Sequence, residues 1–519
     1  MPIVTTALHD ARTMPPSLNQ RKNIYMNTHR ISRRRFLAGS LAGCMALQTW
    51  THATAARARN ILFIMTDQHN AHALGCYGSR EVQTPNMDRL AREGTLFERA
   101  FCQTGQCCPS RYSIWTGRYA RSHGLYFNGQ LENPKEGTIG DILKRKGYKT
   151  ATIGKHHMHM DVMPDKHGFN VVVDLPEYRA FLKAEGKTGQ DHKGDFLPEK
   201  VHPGRSRVGP CRVDNDHHKA GYWAARAIDF LRENKEQPFC LWLSFYGPHT
   251  PIMPSEPWAS MYDPARVTLP PNHEYDYDYS TPGLKGTQAK SGTFDADLHR
   301  KTLAYYYGLV SQIDYNIGRV LDELDRLGLA DNTAVVYTAD HGEMMSEHGS
   351  WTKGGQGYDA TVRVPLILRC PGVIPRRVRR QALACSIDLL PTLLELTNQP
   401  IPQNVQGKSL VAPAKGESGA WRDTIFSEIG ASLENQTVTT RTANTKYVVY
   451  RKDAKVVYEQ LFDLEKDPWE MNNEIANPKY TQVLSAMRKK LARWEEETKV
   501  VPPCKRVPKK TKQRGRTRT

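Results

Sequence analysis

The run Cys107-Cys108-Pro109-Ser110-Arg111-Tyr112-Ser113-Ile114-Trp115-Thr116-Gly117-Arg118 combines residue types that could activate a nucleophile. Pro109 and Ser110 favour a helix opening there and ending near Gly117. That would set Cys107 beside a helix N-terminus, where unpaired N–H groups favour an anion. Arg111 adds a fixed cation. Two adjacent thiols can equally be read as a structural or redox pair, or as small buried apolar residues. Asp67 and Asp340, far apart in sequence, each follow an apolar run and are hard oxygen donors of the kind calcium, magnesium or manganese need. One such Asp alone reads as a helix cap. Two of them beside the Cys107 motif favour a metal site.

These residues need elements to bring them together. Four apolar runs end in polar groups: residues 60–65 in Thr66-Asp67-Gln68, 149–153 in Gly154-Lys155-His156-His157, 239–245 in Gly247-Pro248-His249, and 333–338 in Asp340-His341-Gly342. Runs of this length, each followed by a loop and a helix-like segment, predict an α/β fold with a mostly parallel sheet. Open parallel sheets bind ligands at the carboxyl edge, so the four ends predict one shared pocket. Residues 301–327 space apolar side chains at helical intervals and predict a long covering helix. Residues 398–419, rich in Pro, Gly and polar residues, mark a boundary region. Strand-like segments at 447–450 and 459–464 and a helix over 480–498 then predict a smaller C-terminal α+β subdomain.

The Cys107 run matches the C-x-P-S-R-x-x-x-x-T-G signature and so resembles the type I, formylglycine-dependent sulfatases of the alkaline-phosphatase-like superfamily. Residues 84–94, 363–367, 388–394 and 461–468 resemble further segments of that family, so the likeness runs from about Asn60 to about Asn477. It implies that Cys107 is oxidised to formylglycine by a formylglycine-generating enzyme. It also implies that Asp67, Gln68, Asp340 and His341, with the modified Cys107, hold a divalent metal. Lys155, His157, His249 and Lys353 match the family's basic residues around the sulfate. The implied mechanism is covalent: one hydroxyl of hydrated formylglycine attacks sulfur, and deprotonation of the second later expels sulfate. Arg111 favours the ionised nucleophile, His249 or Lys353 protonates the leaving oxygen, and His157 is the base. The commonest family pattern has Asp-Asp at the first strand end and often Asp-Asn at the second. Gln68 and His341 depart from it, which makes calcium less secure and manganese more plausible. The same pairs occur in relatives resembling choline sulfatase and phosphonate monoester hydrolase.

The net charge of +18 is concentrated at the ends: residues 505–519 carry +8 and residues 1–56 carry +6, leaving +4 for the rest. A near-neutral body gives no reason to expect a nucleic-acid partner. Ser32-Arg33-Arg34-Arg35-Phe36-Leu37, followed by a short apolar stretch, resembles a twin-arginine signal. Ala53-Thr54-Ala55 resembles a cleavage site, so the expected location is periplasmic or extracellular. Leu41-Ala42-Gly43-Cys44 offers a lipoprotein reading instead, and Met26 an alternative start. The expected organisation is a leader at 1–56, a catalytic domain at 57–405, a C-terminal subdomain at 406–500 and a basic tail at 501–519. No cysteine spacing resembles a zinc knuckle or a disulfide framework.

Three functions compete on this reading: a sulfate-ester hydrolase acting on a sulfated carbohydrate or aryl sulfate; a phosphonate monoester or phosphodiester hydrolase using the same nucleophile; and an inactive carbohydrate-binding homologue. Substrate specificity is expected from loops at 161–216 and 263–297. His156, His159 and His348 are expected at the surface or rim, and His217-His218 has no assigned role.

Overall fold

A strand buried on both faces must be apolar at every position, and Asn60–Asp67 nearly is. Its period of two sends Ile61, Phe63 and Met65 into one core and Leu62 and Ile64 into another on the opposite face. The computed structural model describes residues 60–505 apart from 131–132, 134–135, 159–165, 188–207, 274–294, 354–356 and 418. The leader with Cys44, His159, residues 161–165 and 188–207 of the first expected specificity loop, residues 274–294 of the second, and the tail beyond 505 lie outside the described residues.

In chain order the strands are β1 (Asn60–Asp67), β2 (Thr95–Phe97), β3 (Ala100–Phe101), β4 (Lys149–Gly154), β5 (Val171–Val173), β6 (Phe239–Pro248), β7 (Thr333–Ala339), β8 (Leu366–Arg369), β9 (Val378–Arg380) and β10 (Ala384–Cys385). The main sheet has the order β5-β4-β6-β1-β7-β8-β2-β9, with β3 and β10 paired separately. Every pairing in it is parallel except those of β8, which runs antiparallel to β7 and β2. The large, mixed, mostly parallel sheet flanked by helices is therefore the fold expected from the alternating pattern. The long helix extends over Ala296–Arg326 and covers one face.

Beyond the main sheet, β11 (Ile425–Gly430), β12 (Gln436–Arg441), β13 (Thr445–Lys452) and β14 (Lys455–Asp463) form an antiparallel sheet. Helix Thr481–Glu497 packs on it through Met487, Leu491 and Trp494. Leu410, Val411 and Ala414 of the Pro- and Gly-rich stretch join the core of the main sheet. No helix among the described residues is long and apolar enough to cross a membrane.

Helix Cys107–Thr116 is buried along its whole length. It stops at Gly117, whose φ of 66° is left-handed and whose N–H donates to the Ser113 carbonyl. A Cβ at Gly117 would come within 2.9 Å of Val405. All nine cysteines among the described residues are free thiols.

Two expectations about histidine need correction. His156 and His348 are buried rather than at the rim. His156 pairs with Asp174 at 3.0 Å, and His348 stacks on Tyr358. Short-range polarity in the sequence gave no hint of these partners, which come from other elements. His218 also has a role: it caps helix Lys219–Glu233 and bonds the Met253 carbonyl.

Burial, with Arg118 adding to it, lowers the pKa of His123 from 6.5 to about 3. In the unfolded chain this imidazole takes a proton near pH 6.5, while in the folded chain it stays neutral down to about pH 3. Acid therefore favours unfolding through it. Between pH 6.5 and 5 the wild type should lose about 2 kcal/mol of unfolding free energy relative to His123→Gln. Urea unfolding of the two proteins at both pH values measures this difference, and parallel pH profiles would rule it out.

Candidate active site and metal centre

Four neighbouring strands, β4, β6, β1 and β7, deliver their polar ends to the same stretch of the sheet's carboxyl edge. Asp67 and Gln68 come from β1, Lys155 and His157 from β4, His249 from β6, and Asp340 and His341 from β7. Gly154 makes the first of these turns possible: its φ is 91°, and a Cβ there would lie 2.0 Å from the Ser244 carbonyl oxygen. Helix Cys107–Thr116 meets this edge with its first turn, and Lys353 closes the far side.

Arg111 joins the pieces. Its Nη2 donates to Asp67 Oδ2 and its Nε to Asp340 Oδ2, each at 2.8 Å. Nη1 donates to Ser244 Oγ at 2.8 Å and to the Lys155 carbonyl. All three side chains of this bridge are at most 1% exposed. A buried guanidinium between two buried carboxylates satisfies charge and hydrogen bonds together.

The backbone after β1 is held by the same neighbours. Gln68 has a left-handed φ of 61°, a conformation costing a non-glycine residue about 1–3 kcal/mol. Its N–H donates to Asp340 Oδ1 at 3.0 Å, and its carbonyl accepts from Tyr306 Oη of the long helix at 2.9 Å. His249 donates its N–H to the Asp67 carbonyl at 3.1 Å.

Cys107 Sγ is the point of convergence. Lys353 Nζ lies 2.8 Å from it, His341 Nε2 3.2 Å, Asp67 Oδ1 3.8 Å and Lys155 Nζ 3.9 Å. Burial and Asp67 push this thiol's pKa up, but Lys155, His341 and Lys353 together outweigh them and hold it well below the ordinary thiol value. Burial likewise opposes ionisation of Asp67, yet Lys155, His249, Arg111 and Lys353 hold its carboxyl well below the usual range. Asp340 goes the other way: burial raises it, the charge of Asp67 adds to the rise, and Arg111 only partly offsets them. All ten residues singled out from the sequence, Asp67, Gln68, Cys107, Arg111, Lys155, His157, His249, Asp340, His341 and Lys353, thus sit in one cluster.

Asp67, Asp340, His341 and residue 107 can each turn a donor atom inward, and these atoms lie within 4.8 Å of one another. The imidazole is oriented for a ligand, although burial is outweighed by Asp340 and Cys107, which raise its pKa and favour its protonated form, whose proton an ion would displace. His341 Nδ1 lies 2.9 Å from the Gly342 carbonyl, which can only accept, so Nδ1 carries a hydrogen and Nε2 is the atom that faces the cluster. Two carboxylates and one nitrogen fit a hard or borderline divalent ion.

Residues the sequence did not single out complete the arrangement. Glu343 is fully buried and accepts a short hydrogen bond from Gln68 Nε2, which turns Gln68 Oε1 toward Lys353 Nζ at 3.3 Å. Burial pushes the Glu343 carboxyl above its ordinary value. Ser244 braces Arg111, and Ser110 Oγ donates to the Asp340 carbonyl. The only signal for Glu343 was an acid three residues beyond a strand-end Asp, which by itself reads as a solvated loop residue.

The sulfatase family profile matches residues 59–399, and that of the N-sulphoglucosamine sulphohydrolase C-terminal region matches residues 346–497. The chain is 31% identical over 463 residues to an arylsulfatase of Clostridium perfringens, covering 83% of this chain and 93% of that one. It is 26% identical over 509 residues to an N-acetylglucosamine-6-O-sulfatase of Bacteroides thetaiotaomicron, covering 85% and 86%. The structure of the phosphonate monoester hydrolase of Agrobacterium radiobacter is similar, with a TM-score of 0.74 at 25% identity, covering 84% of this chain and 95% of that one. The chain belongs to the sulfatase family and has the alkaline-phosphatase-like fold.

If Glu343 fixes which end of the Gln68 amide faces inward, Glu343→Gln should weaken divalent-metal binding about 10–100-fold while leaving the far-ultraviolet circular dichroism unchanged. Chelator competition with calcium and manganese measures this. Undiminished affinity would remove the orienting role.

Proposed function

We propose that this chain hydrolyses sulfate esters of a sulfated carbohydrate, with residue 107 acting after its oxidation from cysteine to formylglycine. The observation that carries this reading is the ring of cationic and imidazole groups closing on Cys107 Sγ from several strands at once. The sulfur stands where the oxygens of a formylglycine would be. That group would supply, as its hydrate, one hydroxyl to attack sulfur and a second through which the product anion is released. A divalent ion, calcium with manganese or magnesium as alternatives, would be held by Asp67, Gln68, Asp340, His341 and residue 107, and would supply positive charge favouring the ionised nucleophile.

The chain's own residues account for the rest. Arg111 neutralises Asp67 and Asp340 and adds positive charge beside residue 107. Lys155 and Lys353 offset the negative charge that grows on the transferring group. Lys353 Nζ lies 3.0 Å from His249 Nε2. His249 Nδ1 sits 2.6 Å from the Thr250 carbonyl, so Nδ1 carries the hydrogen and Nε2 accepts from Lys353. This pair moves a proton to the leaving oxygen. Burial lowers the pKa of His157, against the opposing effect of Cys107, so the imidazole is neutral near pH 7, as a base requires.

A second reading is a phosphonate monoester or phosphodiester hydrolase. Gln68 in place of an acid and His341 in place of an amide favour it, as does the likeness to the Agrobacterium radiobacter enzyme. We also read residues 1–56 as a twin-arginine leader that carries the folded, modified protein out of the cytoplasm, with acylation at Cys44 as the alternative. On this reading, the formylglycine-generating enzyme acts on the chain before export.

Rates on 4-nitrophenyl sulfate and on a 4-nitrophenyl phosphonate monoester separate the two substrate classes. Sulfate should be preferred, and Cys107→Ala should lose roughly 10⁴-fold or more of the activity. Mass spectrometry of the residue-107 peptide from the native host should show an aldehyde in place of the thiol. A phosphonate preference would select the second reading, and full activity in Cys107→Ala would remove the nucleophile.

A further inference from the structure

The carboxyl edge of the main sheet carries more than one concavity. Beyond β7 the edge continues past the loop before β8 and the residues following β2, since Thr338 pairs with Leu366 and Leu96 with Ile367. Here a cleft of about 630 Å³ opens between the main sheet and the C-terminal sheet. That lies within the roughly 300–1,000 Å³ range of ligand pockets. Four arginines line it: Arg99, Arg363 and Arg379 from the main domain and Arg441 from β12.

The carboxylates in the same wall are three, and each already has a partner. Glu98 pairs with Arg379 at 2.5 Å. Asp359 is shared by Arg441 at 2.9 Å and Lys446 at 2.5 Å. Glu465 accepts from Asn444 at 3.4 Å. Arg363 bonds the Glu98 carbonyl and His72. Arg99 differs. Among the described residues its guanidinium makes no hydrogen bond and no ion pair, although it is partly buried. Burial and the like charges of Arg441 and Arg363 lower its pKa, outweighing the nearby charge of Glu98, which is itself paired with Arg379. A guanidinium beside two others, with the adjacent Glu98 already paired to Arg379, is complementary to an added anion.

A second, smaller cavity adjoins the cleft on the same edge of the sheet. Its volume is about 130 Å³, and it shares Asp359, Arg363 and Pro468 with the cleft and reaches Asn70. Asn70 follows Gln68 by two residues and donates to the Glu343 carbonyl at 2.7 Å. Trp469, with its ring 5.2 Å from that of His72, gives this second cavity an aromatic wall.

We propose that the Arg99 cleft is a second anion subsite, which holds a sulfate or carboxylate of the same polyanionic sugar chain whose ester lies at residue 107. The identity of the chain rests on the sulfated-carbohydrate reading; the anion site rests on the cleft itself. The near-neutral body of the protein favours a chain that shares the chemistry of the main pocket over a nucleic acid.

The test uses the full-length chain with Cys107→Ala, which should bind without turnover, titrated calorimetrically with heparin hexasaccharide. Adding Arg99→Ala should weaken binding roughly 5- to 30-fold and flatten its salt dependence, and Arg99→Lys should recover part of the loss. The thermal midpoint should not move, because Arg99 has no internal bond to lose. In the otherwise wild-type chain, Arg99→Ala should leave 4-nitrophenyl sulfate turnover unchanged. Arg379→Ala supplies a second variant on the same wall and should also weaken binding. The proposal is overturned if the hexasaccharide binds no better than its desulfated form, or if Arg99→Ala changes its affinity less than twofold. Equal, Arg99-dependent binding of a DNA hexamer would overturn it too. Loss of the sulfatase reading alone would show as Arg99-dependent binding in a chain that never cleaves aryl sulfate.

Discussion

Two carboxylates from separate strands, both withdrawn from water, would repel each other strongly if nothing lay between them. Arg111 lies between them, donating to Asp67 and Asp340 at equal distances while the Lys155 carbonyl and Ser244 take its Nη1 hydrogens. This bridge fixes the helix that begins at Cys107 against the ends of β1 and β7, and through Lys155 against β4. Breaking a buried charge network of this kind costs about 3–5 kcal/mol. The geometry at residue 107 is thus set by the same contacts that hold the core helix in place.

Around that bridge the electrostatics are divided by position. Asp67 faces Lys155, His249, Arg111 and Lys353 and stays ionised, whereas Asp340 has Arg111 and His341 but also the charge of Asp67. At the next position Gln68 carries no charge, and Glu343, one layer further out, grips its side-chain amide from behind. A neutral oxygen therefore faces the cluster where a second carboxylate would otherwise add repulsion. Carbonyls of Gly342 and Thr250 fix the tautomers of His341 and His249, so each imidazole presents Nε2 to the cluster. Backbone carbonyls are well suited to this because their positions follow from strand ends and not from side-chain rotamers.

The mixed sheet explains why one edge can host so much. Parallel strands β4, β6, β1 and β7 all release their chains on the same side, and the reversal at β8 brings the return loop with Arg363 back to that side. The antiparallel C-terminal sheet then supplies Arg441 and, in the turn after β14, Pro468 and Trp469 to the wall of the neighbouring cleft. Membership of the sulfatase family follows from sequence and fold together. The chemistry proposed at residue 107 follows from the local arrangement of charges.

The sequence by itself determined the strand pattern, because burial on both faces demands unbroken apolar runs, and it determined that four of those runs end in polar residues. The Cys107 run with Asp67 and Asp340 stood out by residue type and place, and the resemblance that run carries marked Gln68, Lys155, His157, His249, His341 and Lys353, whereas Glu343 and Ser244 went unmarked. Tertiary structure alone decided which groups touch. Glu343 looked like an ordinary loop acid until the turn after β7 folded under Gln68. His156 and His348 looked solvated until Asp174 and Tyr358 arrived from other elements. The lowered pKa of Arg99 depends on burial and on like charges contributed by β12 and by the loop before β8. Local sequence records propensity and period, whereas burial and pairing of a charge depend on neighbours hundreds of residues away, and only the folded chain brings these within a few ångströms.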